Sequence, residues 1–165
     1  MRRIINIIDK LPRHSTKRYG TRSVDTIRGI LIHHSATSCV CGVDLNLNDI
    51  DDAVEQVAKY HVEHNGWPGF GYGFVIPKTG EIYKTNKITT VSYHAGAGQN
   101  TIHLGICLLG NFETEKPTEK QWDSLKWLVG TLQAVYPNLY IKGHREVRQT
   151  KCPGKNLFSL LPNLS

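Results

Sequence analysis

The sequence predicts an α/β protein of one domain, a central mixed β-sheet with helices packed on its faces. Three observations carry this. Apolar, β-branched runs of strand length recur along the chain, amphipathic stretches of helical period separate them, and one pair of runs is joined by a hairpin turn. With 165 residues, 39% of them hydrophobic, the chain can bury one compact core. No internal repeat, low-complexity segment or interdomain linker interrupts it.

Residues 1–25 open on the short apolar run IINII and continue as the basic stretch KLPRHSTKRYGTRS, which reads as an arm packed on a domain spanning 26–165. From Thr26, IRGILIHH has the length and β-branching of a buried strand, and SATSCVCG after it forms a turn. DIDDAVEQVAKYHVEHNGW predicts a helix capped by Asn48 or Asp49, with Ile50, Val54, Val57 and Val62 on one face and Gly66 as its stop. GFGYGFVIP and GEIYKT flank the turn Lys78-Thr79-Gly80 as a hairpin. HLGICLLGNF is a further buried strand, closed by Gly110-Asn111. Pro117 to Tyr136 spaces Trp122, Leu125, Leu128, Val129 and Leu132 as a long amphipathic helix. Finally, LYIKGH is a short strand that delivers His144 at its end.

The net charge of +6 points to an anionic partner, and the basic excess is densest at Arg2, Arg3, Lys10, Arg13, Lys17, Arg18, Arg22 and Arg28. It reads first as a solvated basic surface. The apolar stretch after Met-Arg-Arg stops at Asp9, short of a secretory signal, and no run reaches the ~18 apolar residues of a membrane span. We therefore expect synthesis in the cytoplasm without a signal peptide, and no membrane insertion. Nucleic acid is not an expected partner, because neither a recognition helix nor an aromatic single-strand platform is present. Cys39 and Cys41 are too close together to staple distant elements, and Cys107 within LGICLLG reads as a small buried hydrophobe.

The segment GHREVRQTKCPG carries the most chemistry. It places His144 and Cys152 in one loop, and imidazole with thiolate is a good zinc-ligand pair. A catalytic zinc takes three protein ligands and leaves a position for water. His33 is the best third candidate, because it ends a buried strand as His144 does. A cysteine hydrolase using Cys152 and His144 is the alternative, but it leaves His33 without a role.

In order along the chain, IHHSAT, YHVEHNGWPGFGYGF, the stretch from His94-Ala95 to Asn100 before LGICLLGNF, and GHREVRQTKCPG together resemble the zinc-dependent N-acetylmuramoyl-L-alanine amidases. That family includes phage lysozyme-type amidases and animal peptidoglycan recognition proteins. The resemblance covers residues 26–158. It implies one zinc ion on His33, His144 and Cys152, a catalytic tyrosine at Tyr72, and a second polar catalytic position at Thr150. Phage members commonly carry lysine at that last position. The resemblance further implies that His34, His61, His94 and Asn100 border the substrate groove. The implied function is hydrolysis of the amide between N-acetylmuramic acid and L-alanine in bacterial peptidoglycan. The protein would be a monomeric, bacteriolytic endolysin-type enzyme that reaches the cell wall after release by another factor. A non-catalytic peptidoglycan-binding module on the same fold is the rival reading, and the cysteine ligand argues against it.

Overall fold

The computed structural model describes residues 2–37 and 52–164. The turn at SATSCVCG beyond Thr37, the Asn48 or Asp49 cap, Ile50 and the pair Cys39 and Cys41 lie outside the described residues.

Six strands form one sheet in the order β1-β4-β3-β5-β2-β6, with β1 at Ile4–Asn6, β2 at Gly29–His34, β3 at Phe74–Ile76, β4 at Ile82–Lys84, β5 at His103–Leu108 and β6 at Tyr140–Gly143. Among these six strands only β3 and β4 pair antiparallel, as the hairpin predicts; their other pairings are parallel. Gly80 closes that hairpin with φ of +92°, a backbone region that glycine occupies without steric cost. Strand β2 lies between β5 and β6, buried along its whole length, which is why it reads as a continuous apolar run.

Strand alternation sorts the side chains onto two faces. Ile30, Ile32, Phe74, Ile76, Leu104, Ile106 and Leu108 meet helix α3 (Glu119–Val135) through Leu125, Leu128, Val129 and Leu132. The helix begins later than Pro117, at a Thr118 cap whose side chain accepts from the Gln121 amide while Gln121 reaches back to Thr118. On the opposite face, Val75 and Cys107 pack with Phe70, Tyr83 and helix α1 (Asp52–Lys59) through Val54 and Ala58.

Four features depart from the sequence reading. Residues Ile4–Asn6 are not arm but an edge strand, paired in parallel with β4. The predicted helix over 48–65 changes to a π-helical turn at Tyr60–His64, and that turn buries His61 while Val62 is only partly covered. A four-residue helix, α2 (Gln99–Ile102), precedes β5. Another, α4 (Lys155–Phe158), follows the cysteine loop. Among the described residues, no helix is long and apolar enough to cross a membrane.

Candidate metal centre and active site

The two histidine ligands leave neighbouring parallel strands at their carboxyl ends, where open α/β sheets place their sites. His33 is the penultimate residue of β2, in register with Cys107 of β5 and on the face away from α3. His144 follows β6 directly and opens a 3₁₀ turn, His144–Glu146. Cys152 returns in the loop beyond. The ligand atoms of His33, His144 and Cys152 all lie within 4.8 Å of one another, and His33 Nδ1 is 3.5 Å from Cys152 Sγ.

The loop carrying Cys152 is pinned from several directions. The Arg145 amide donates to the Cys152 carbonyl at 2.9 Å, and the Arg145 guanidinium bridges the Lys151 carbonyl and Glu113. The His34 amide points at Cys152 Sγ at 3.4 Å. The Cys152 amide donates to Thr150 Oγ1 at 3.2 Å, so Thr150 shapes the cysteine turn while its side chain stands exposed.

This donor set fits a zinc ion. Two imidazoles and a thiol match zinc's preference. Buried His144 Nε2 has no hydrogen-bond partner among the described residues, an uncommon state for a buried polar atom. Burial pushes His33 well below the ordinary 6.5, helped by neighbouring His94 and His144, and holds His144 at about 4. Both rings are therefore neutral, as ligation requires. Burial also lifts the Cys152 thiol to about 12, against the opposing pull of the His34 amide and Arg145. A divalent cation among these atoms supplies the charge that favours thiolate.

Tyr72 joins the group, its ring centroid 5.1 Å from that of His33. Burial, followed by the nearby Cys107 and Cys152 thiols, holds its phenol well above 10, so it is a neutral hydrogen-bond donor. His61 lies behind Tyr72 at 5.7 Å between centroids, with Nδ1 accepting from the Gly71 amide and Trp67 against its ring. His94 turns inward, its Nδ1 3.0 Å from His33 Nε2. Asn100 does not extend outward either. Its Oδ1 accepts from the His94 and Ala95 amides at 3.0 and 2.7 Å, clamping that turn. The structure does not bring the His34 ring to the group. Alternation sends it to the α3 side, where Nδ1 accepts from the Phe112 amide.

Two contributors had no signal in the sequence reading. Cys107 is buried as expected, but it lies on the site face and meets the Tyr72 hydroxyl. Arg22, counted among the basic surface residues, is only 9% exposed. Its Nη1 donates to the carbonyls of Asn100, Thr101 and His103 at 2.6, 2.9 and 2.7 Å. The remainder of the arm braces the loop behind His61, with Lys17 Nζ on the Gly66 carbonyl and the Tyr19 hydroxyl on the Gly69 carbonyl.

The buried histidines make the fold acid-sensitive. Burial lowers His61 to about 4 and His94 to about 3, the latter despite the opposing His103 carbonyl. Below about pH 6.5 the unfolded chain therefore binds protons that the folded chain refuses, and stability falls as pH falls. Each group contributes a slope of about 1.4 kcal/mol per pH unit within its window. Urea midpoints are expected to change little from pH 8 to 7 and to drop steadily from pH 6.5 to 4. A flat profile across the acidic window would contradict this assignment.

The comparisons with known proteins identify the family and the fold. The N-acetylmuramoyl-L-alanine amidase family profile matches residues 23–155. Peptidoglycan-recognition protein LB of Drosophila melanogaster is 32% identical over 145 residues, which cover 84% of this chain and 61% of that protein. The solved structure of the N-acetylmuramoyl-L-alanine amidase LysC from Clostridium intestinale is 29% identical and superposes with a TM-score of 0.71 over the whole of both chains. A point mutant of Drosophila PGRP-LB in complex with tracheal cytotoxin is 26% identical, with a TM-score of 0.74 over 96% of this chain and 92% of that one. On the profile match over most of its length and the shared fold, this chain belongs to the N-acetylmuramoyl-L-alanine amidase family.

Proposed function

We propose that this protein is a zinc-dependent peptidoglycan hydrolase that cleaves the amide between N-acetylmuramic acid and L-alanine. The observation that carries the reading is the convergence of His33, His144 and Cys152 beside a neutral, partly buried tyrosine. Zinc held there would supply an acidified water, its pKa drawn from 15.7 to about 7, and a Lewis acid for the scissile carbonyl. The chain's own groups complete the chemistry. Tyr72 O–H donates to the carbonyl oxygen as negative charge develops on it. Thr150 holds the turn of Cys152 through its oxygen, which leaves its own proton for a second donation.

The LysC amidase supports the reaction class, and the tracheal cytotoxin complex of PGRP-LB supports the substrate class. Tracheal cytotoxin is a monomeric diaminopimelic acid-type peptidoglycan. The net charge of +6 suits an anionic wall.

Purified protein is expected to contain one zinc per chain and to release soluble stem peptides from bacterial sacculi. Chelation should stop the release, and added zinc should restore it. Zinc bound without peptide release would favour the recognition module, and release that survives chelation would favour a cysteine hydrolase.

A further inference from the structure

The donor and acceptor roles around His94 form a relay that decides which nitrogen of His33 is bare. The His103 carbonyl only accepts, and His94 Nε2 lies 3.4 Å from it, so that nitrogen carries the ring's proton. In the neutral ring, Nδ1 is then a bare acceptor. Its partner at 3.0 Å, His33 Nε2, must supply the hydrogen. His33 Nδ1 is left with its lone pair, and that is the nitrogen 3.5 Å from Cys152 Sγ.

We propose that His94 is a positioning residue for His33: the backbone carbonyl of His103, acting through His94, fixes His33 as its Nε2–H tautomer and presents Nδ1 to the metal. The outer ring nitrogen of a ligating histidine usually meets a carboxylate or carbonyl directly. Here a second imidazole is interposed, and the surrounding structure is built to hold it. Asn100 Oδ1 fixes the His94 backbone through two amides. The carbonyl of His103 is itself held by Arg22 Nη1 at 2.7 Å. Beneath the ring lies Gly105, where a Cβ would stand 2.8 Å from His94 Cγ, so only glycine lets the ring lie that close to β5. The relay thus runs from Arg22 in the arm to the ligand on β2.

The inference rests on the zinc reading for its purpose but not for its test. Long-range ¹⁵N–¹H correlation of the histidine rings in zinc-free wild-type protein is expected to show His33 protonated on Nε2 and His94 protonated on Nε2. Finding the His33 proton on Nδ1 overturns the proposal. Zinc affinity, measured by chelator competition, is expected to weaken about 10- to 100-fold in His94→Leu. His94→Asn should recover most of it, because its Oδ1 takes the place of Nδ1 as acceptor. Wild-type affinity in a folded His94→Leu also overturns the proposal. If the leucine variant does not fold, the wild-type tautomer still decides. If wild-type protein binds no zinc, the zinc reading fails, and the same spectrum still decides the relay.

Discussion

Cys152→Ser is expected to lose zinc and peptide release together while keeping the fold. Structural zinc sites contribute about 10–16 kcal/mol at neutral pH, so one of three ligands carries enough to weaken binding by more than about 100-fold. Serine preserves size and accepts the His34 amide in place of sulfur. The loop also keeps its Arg145 clamps, because they act on the Cys152 and Lys151 carbonyls rather than on the thiol. Metal analysis after dialysis and sacculus digestion check the two losses. Retained cleavage without metal would remove zinc from the mechanism.

Tyr72→Phe separates chemistry from metal binding. Removing one donor to a developing oxyanion typically costs about 100- to 1,000-fold in kcat. The phenylalanine ring keeps the contacts with His33, Phe70 and His61, so zinc stoichiometry should be unchanged, and stability should change only by the lost hydroxyl contact with Cys107. Burial keeps the phenol neutral, so the wild-type rate should show no loss from Tyr72 ionisation up to pH 10. Turnover of purified muropeptides, compared at saturating substrate, is the measurement. A change confined to KM would reassign Tyr72 from catalysis to binding.

Periodicity made the sheet interior readable. β2 and β5 are buried on both faces and read as unbroken apolar runs, and α3 repeats its leucines and valines at helical spacing. β1 was not readable, because three residues of IINII have strand identity only through the free edge of β4. The same holds for α2, four residues long and fixed by Arg22 and Asn100 rather than by its own pattern. In the site, strand ends marked His33 and His144, whereas the resemblance set His34 at the substrate groove and strand alternation turns its ring to the α3 side. The inward turn of His94 had no such mark. It depends on the bare backbone of Gly105 on a different strand, and no local sequence pattern encodes a contact of that kind.

The separation of the ligands along the chain has a mechanical consequence. His33 and Cys152 stand 119 residues apart and are brought together only by the completed sheet. A metal bound there is a cross-link around most of the polypeptide. By analogy with a disulfide, closing a loop of about 100 residues restricts the unfolded ensemble by about 4.7 kcal/mol. Because β2 and β6 must both be docked before the three ligands meet, no amino-terminal fragment that stops short of Cys152 can form the centre during synthesis. Once loaded, the metal resists global unfolding rather than the fraying of one loop.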